Sequence, residues 1–296
     1  MFVACVQFEN NFSLALWWSR LTALGQKYRL ENMNVSIVMP AFNASRYIEE
    51  TIISIIAQTH QSWELVIVDD ASTDDTADII GRYTVIDPRI RLITLEKNFG
   101  APAGPRNKGV AESNFDWIAF IDSDDLWHRE KLEQQIIAIS ENEVEFISTQ
   151  MIRFKDSANF ESEKQLINKP LCKKISFLKQ FLRYSTPTSS VLVKKSIITS
   201  FPFEEGIAWR AREDLDCWLR IHRAIGHSIK LDFPLVGYRV IDGQISGNKI
   251  QMISRTHYCY ANSKGVPKTP FGVLAFFLTA LHFAGGLLVR LIGNKL

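Results

Sequence analysis

The sequence is short of the features that would make its function obvious. Its four cysteines, Cys5, Cys172, Cys217 and Cys259, are scattered over 296 residues, and no C-x-x-C pair occurs. That excludes a zinc ribbon and a disulfide scaffold, and makes a reducing compartment the default. No charge of one sign predominates: 34 Lys and Arg against 32 Asp and Glu leave a formal +2. A broad basic face of the kind that binds nucleic acid non-specifically is therefore not expected. Fifteen glycines and ten prolines are ordinary usage, which rules out collagen-like and low-complexity chains. No G-x-G-x-x-G follows the first strand-like run and no G-x-x-x-x-G-K-[ST] occurs, so dinucleotide and P-loop readings lack their phosphate cradles. Phe2–Val6 is apolar, but it has no basic start and is interrupted at Glu9, so it does not match a secretory signal.

What is present is enough apolar material for a full-sized core, 46% of residues, with 22% charged. Between Asn34 and Thr149, short β-branched runs alternate with segments of helical spacing. Strands are expected at Val35–Met39, Glu64–Val68, Ile90–Leu95, Trp117–Ile121 and Glu145–Ser148. Helices are expected at Arg46–Ala57, Asp74–Tyr83, Pro105–Ala111 and Arg129–Ile139. Ser72-x-x-Asp75 reads as a capping box for the second helix, and Pro105 suits the first turn of the third. The alternation predicts an α/β fold with a mainly parallel sheet flanked by helices.

Ligands of such sheets sit beyond the carboxyl ends of the strands. Those ends carry Pro40-Ala-Phe-Asn43, Asp69-Asp70-Ala-Ser-Thr-Asp74-Asp75, Asn98 through Asn107, and Asp122-Ser-Asp124-Asp125. Clustered carboxylates repel one another unless a cation joins them, and few hard oxygens suit Mg²⁺ or Mn²⁺ shared with substrate phosphates. The competing reading is that Asp122–Asp125 only forms a turn and caps the next helix. Asp69 and Asp70 have acceptors for a uracil N–H or ribose hydroxyls, while Asp74 and Asp75 suit capping. Arg106, near a helix start, either binds a diphosphate or is a solvated surface arginine. His222 and His227 are five apart, the wrong spacing for a histidine metal site on one helical face.

Four segments together resemble the family-2 glycosyltransferases, nucleotide-sugar enzymes with the GT-A fold. They are Val35–Asn43, Val68–Thr76, Arg106-Asn107-Lys-Gly109 and Phe120–Asp125, each after the appropriate strand. The resemblance runs from about Asn34 to about Tyr260 and implies a single Rossmann-like sheet. It implies that Pro40, Phe42 and Asn43 line the base pocket, that Asp70 partners the base, and that Arg106 approaches the nucleotide. It places Asp122 near ribose and metal and Asp124 directly on the metal, Mn²⁺ or Mg²⁺. Arg212-Glu213-Asp214-Leu-Asp216-Cys-Trp218 is similar to the family's Glu-Asp segment, which makes Asp214 the catalytic base with Glu213 its rival. Without the resemblance, both read as first-turn charges of an amphipathic helix, Asp214–Ala224. Thr186–Val193 resembles the strand that supports the acceptor side. Trp209 and Trp218 are either sugar-stacking or buried.

The implied activity is inverting transfer from a nucleotide sugar, with UDP the nucleotide, to a glycan or lipid-linked acceptor in surface polysaccharide synthesis. A non-catalytic nucleotide-sugar-binding subunit and a sugar-nucleotide pyrophosphorylase are the alternatives. The latter is disfavoured because Pro40–Asn43 replaces a Gly-rich basic loop. The expected organisation is an N-terminal extension (1–33, with Met33 a second candidate start), a donor half (34–150), an acceptor half (151–260) and a C-terminal segment (261–296). In that last segment Phe271–Val289 carries no charge, close to the ~20 apolar residues of a bilayer-spanning helix. Association with the cytoplasmic face of the membrane, in the interface rather than across it, is the expectation. Nucleic acid is not an expected partner, and the sequence does not give the oligomeric state.

Overall fold

The structure, a computed structural model, describes residues 33–157, 160, 171–182, 186–241, 249–266, 277 and 279–280. The expected N-terminal extension and Phe271–Val289 segment fall almost entirely outside these residues. Among the described residues no helix is long and apolar enough to cross a membrane.

The first strand, β1 (Val35–Ala41), and the second, β2 (Trp63–Asp69), are buried along their whole length. Helices cover both faces of such strands, so the runs VSIVMPA and WELVIVD are mostly apolar rather than alternating, and the buried Ser36 and Glu64 are paired with each other. β3 (Ile90–Thr94) pairs in parallel with β2, and β4 (Trp117–Phe120) pairs in parallel with β1. The crossovers are α1 (Ile48–Ile56), α2 (Thr76–Ile86) and α3 (Ala103–Glu112). After the two-residue β5 (Leu126–Trp127) and α4 (Lys131–Asn142) comes β6 (Phe146–Phe154). Then follow β7 (Cys172–Ser176), α5 (Phe177–Leu182), β8 (Leu192–Lys194), α6 (Lys195–Ser200), α7 (Glu213–Ile225), β9 (His227–Arg239) and α8 (Lys249–Asn262).

The sheet order is β3-β2-β1-β4-β8-β6-β9-β5, with β7 paired to β9. Pairing is parallel from β3 to β4, and antiparallel on both sides of β8. One sheet thus runs without a break past residue 150. The chain passes from β1 outward through β2 and β3, then returns to the other side of β1 as β4. The resulting crevice between β1 and β4 is where an open α/β sheet takes its ligand.

Two expectations need correction. No capping box forms at Ser72 and Asp75. The Ser72 hydroxyl bonds the Asp69 carboxylate and accepts the Asn43 N–H, the N-cap Asp75 makes no side-chain cap bond, and the first N–H of α2, that of Thr76, goes to Asp74 at 3.1 Å. Trp218 is not available to stack on a sugar: it lies in the core against Phe120, Phe146 and Phe203, with ring centroids 5.3–6.2 Å away.

Candidate active site

The site is built at the carboxyl edge of β1, β2 and β4 and at the amino end of α7. Near the end of β1, Pro40 is buried and paired with Val68, and after Ala41 the chain turns through Phe42, which is 49% exposed. Asn43 lies at φ 48°, a left-handed conformation that asparagine tolerates better than most residues. Its side-chain oxygen accepts the Thr73 N–H at 2.8 Å, locking the β1 loop to the β2 loop. Asp74 strengthens that lock through Thr76 and Ser45. These hydrogen bonds outweigh burial and draw its carboxyl down to about 2.

Asp70 sits just past β2. One of its carboxylate oxygens accepts the Phe99 N–H at 2.8 Å, and its carbonyl accepts the Asn98 side chain at 2.9 Å. Asp70 therefore orders the loop after β3 from beneath. Burial lifts its pKa above the ordinary carboxylate value, against the Phe99 hydrogen bond, and the charge of Asp69 adds to the rise.

Arg106, in the first turn of α3, is the electrostatic centre of the site. One terminal nitrogen donates to Asp122 at 2.6 Å and the other to Glu213 at 2.9 Å, and the Phe203 ring lies 5.4 Å from the guanidinium. Only 4% of the arginine is exposed. Burial works against its charge, but Asp122 and then Glu213 outweigh it and hold the proton more firmly than usual. The guanidinium joins the carboxylate after β4 to the first residue of α7. Removing one partner of such a buried pair typically costs about 3–5 kcal/mol.

The two neighbouring acids of α7 differ in access. Glu213 is 3% exposed, and its second carboxylate oxygen has no hydrogen-bond partner among the described residues. Burial, then the charge of Asp214, raises it from 4.5 to about 7, with Arg106 opposing. Asp214 is only half-buried. One of its oxygens accepts the Leu215 N–H at 2.7 Å and the other accepts the Thr188 hydroxyl at 3.3 Å.

After β4, Asp122 and Asp124 are half-buried while Asp125 is sealed in. Asp125 accepts the Ser189 hydroxyl at 2.6 Å and the Arg239 N–H at 3.2 Å. Burial, then the charges of Asp124 and Asp122, push its pKa well up. Arg239 also donates to the Asp124 carbonyl at 2.9 Å and to Glu50 at 2.7 Å, pinning the turn from β9. Asp125 is thus the anchor of the turn, leaving Asp122 and Asp124 to face outward. Among the described residues no three His, Cys, Asp or Glu side chains converge to hold a metal ion. Two carboxylates alone are a fitting but incomplete set for a hard divalent cation, whose other ligands would come from a diphosphate and water.

The family model described as Glycosyl transferase family 2 matches residues 36–200, more than half of the chain. The chain belongs to this family. The glycosyltransferase is 32% identical over 231 residues to TuaG of Bacillus subtilis (strain 168), assigned as a teichuronic acid biosynthesis glycosyltransferase. That match covers 76% of this chain and 86% of TuaG. It is also 32% identical to WfgD of Escherichia coli, a UDP-Glc:alpha-D-GlcNAc-diphosphoundecaprenol beta-1,3-glucosyltransferase, over 76% of this chain and 85% of WfgD. Among solved structures, S. aureus TarS in complex with UDP-GlcNAc superposes with a TM-score of 0.64 at 19% identity, covering 85% of this chain and 73% of that one. The mannosyltransferase PcManGT from Pyrobaculum calidifontis, in complex with GDP-Man and Mn²⁺, gives 0.61 at 16% identity, covering 93% and 86%. The fold of the glycosyltransferase is accordingly GT-A.

Sequence reasoning named Asp70, Arg106, Asp122, Asp124, Glu213 and Asp214 but missed the residues that hold them. Thr188 and Ser189 lie in the Thr186–Val193 segment likened to the acceptor-side strand, but nothing in it singles out these two hydroxyls, and Arg239 carries no motif that would mark it. Asp125 stood in a recognised cluster, yet nothing in the sequence separates the inward acid from its outward neighbours. Trp209 is half-buried and meets Tyr258 edge-on at 5.3 Å. His222 is fully buried, with Nδ1 2.7 Å from the Trp218 carbonyl and Nε2 2.7 Å from the Ser228 hydroxyl.

Proposed function

We propose that the enzyme transfers a sugar with inversion from a UDP-sugar to a hydroxyl of a lipid-linked glycan, in the assembly of a surface polysaccharide. The observation that carries this reading is the Arg106 bridge, which sets the half-buried Asp214 beside the carboxylate turn that follows β4. Pro40, Phe42, Asn43 and Asp70 form the base and ribose side, and Asp122 faces the diphosphate. Arg106 acts on the nucleotide through Asp122, because its own guanidinium is spent on two carboxylates. The named activities of TuaG and WfgD support the polysaccharide setting and the lipid-linked acceptor, and the UDP-sugar of WfgD supports the nucleotide.

Asp214 accepts the proton of the acceptor hydroxyl as that oxygen forms its bond to the anomeric carbon. The bond from that carbon to the diphosphate oxygen breaks on the opposite face, and the configuration inverts. Glu213 is the poorer base because it is sealed from solvent and bonded to Arg106. Asp124 and Asp122 would hold Mn²⁺ or Mg²⁺, which supplies positive charge to the departing diphosphate. PcManGT, solved with Mn²⁺, supports that assignment. The uncharged Phe271–Val289 segment supports residence at the cytoplasmic face of the membrane, where a lipid-linked acceptor would be met.

Asp214→Asn tests the base. Screened first on a panel of UDP-sugars with Mn²⁺, the variant should bind UDP as the wild type does, while turnover falls by about 10²–10⁴-fold. Near-normal turnover would move the role to Glu213. Failure of the wild type to release UDP from every donor, with or without acceptor, would favour a non-catalytic binding subunit.

A further inference from the structure

Thr188, Ser189 and Ser190 form one 3-10 turn leading into β8. All three are buried, and their backbone is braced from several directions. Trp127 Nε1 donates to the Ser189 carbonyl at 2.9 Å and Gln135 donates to the Ser190 carbonyl at 2.9 Å. The Ser190 hydroxyl closes the turn onto the Pro187 carbonyl at 2.6 Å. β8 then pairs with both β4 and β6, so the turn is fixed to the middle of the sheet.

From this fixed base two adjacent hydroxyls reach opposite sides of the site. Thr188 donates to the outer oxygen of Asp214 at 3.3 Å. Ser189 accepts the Asp122 N–H at 3.1 Å and donates to Asp125 at 2.6 Å. We infer that Thr188 and Ser189 are positioning residues, a two-hydroxyl gauge that fixes the Asp214 carboxylate relative to the Asp122–Asp125 turn. The inference rests on the reading of Asp214 as base and of that turn as the donor side. A carboxylate rotating on a helix end has several rotamers, and the Thr188 hydroxyl, with the Leu215 N–H on the other oxygen, restricts that rotation. Thr188 is well suited to this, because its branched Cβ restricts the rotation of the hydroxyl it presents.

The test uses Thr188→Val, which replaces the hydroxyl by a methyl of similar shape, and Thr188→Ser, which keeps the hydroxyl. Each full-length variant is assayed for UDP affinity by calorimetry with Mn²⁺, for melting temperature, and for kcat and KM with the donor found in the panel. Thr188→Val should lose about tenfold in kcat, the effect of one hydrogen bond. Its donor KM and UDP affinity should stay within about twofold of wild type, and Thr188→Ser should recover most of kcat. Wild-type kcat in Thr188→Val, equal impairment of the Val and Ser variants, or a parallel loss of UDP affinity would each overturn the inference. Ser189→Ala should show the opposite split, with weakened UDP binding and a smaller change in kcat at saturating donor. Loss of kcat alone in Ser189→Ala would overturn its half. Asp214→Asn run alongside separates the two levels: an inactive Asp214→Asn with a fully active Thr188→Val rejects the gauge and keeps the base.

Discussion

Glu213 and Asp214 are adjacent in sequence and both acidic, yet their surroundings assign them different work. Glu213 lies against Arg106 in the interior, and burial followed by the Asp214 charge lifts it from 4.5 to about 7. Its contribution to stability is therefore intact below about pH 4.5 and is lost as pH rises through about 7. His222 tilts the other way. Burial lowers it from 6.5 to about 4, so its contribution is present above 6.5 and is lost as pH falls through 4. Glu213→Gln cannot ionise, so this variant should lose less stability than wild type between pH 4.5 and 7 and should expose the opposing slope of His222. Urea melts across that window check it, and parallel curves for the two proteins would show that Glu213 does not titrate there. Sequence could name this pair of acids but could not divide the roles, because the division depends on which one meets an arginine 107 residues earlier in the chain.

At the scale of elements, α3 shows how closely the site is packed onto the sheet. A Cβ on Gly109 would stand 2.4 Å from Cγ1 of Val38, a fully buried residue in the middle of β1. The glycine lets the helix that carries Arg106 lie against the strand. Gly109→Ala should destabilise the fold by about 1–3 kcal/mol, more than the ~1 kcal/mol that alanine gains in a helix. Gly81→Ala in α2 is the control, because its Cβ would meet nothing within 4 Å. That variant should stabilise by about 0.5–1 kcal/mol. Thermal melts of the two variants should shift in opposite directions, and a shared direction would contradict the close approach. β1, β2 and β4 were legible because burial on both faces leaves a mostly apolar run. β3, at the sheet edge, was legible as a short β-branched stretch in which isoleucines and leucine are interspersed with Arg91 and Thr94. β9 was not: its thirteen residues alternate between full and partial burial and include Lys230, Asp232 and Pro234. β5, only two residues long, has no pattern to read.

Over the whole molecule, the near-neutral charge balance conceals how unevenly the acids are used. Asp74 and Asp125 brace loops, Glu213 anchors an arginine, and Asp122, Asp124 and Asp214 remain at least partly open. The sequence located all six in acidic clusters, but only tertiary contacts separate the braces from the candidate chemistry. The apolar Phe271–Val289 segment is a different case, since it is legible in the sequence and lies largely outside the described residues. Truncation after residue 270 should move the protein from the membrane pellet to the supernatant while UDP affinity stays within about twofold, as expected of an interfacial anchor. Unchanged sedimentation would count against membrane attachment through this segment.

The unbroken sheet has a consequence for how substrates exchange. β8 joins β4 to β6 by hydrogen-bonded pairing, so the two halves of the sheet are not two bodies linked by a hinge. Opening them like a jaw would require tearing strands apart. The placement of Asp214 relative to the Asp122–Asp125 turn is thereby set at folding rather than by a closing motion.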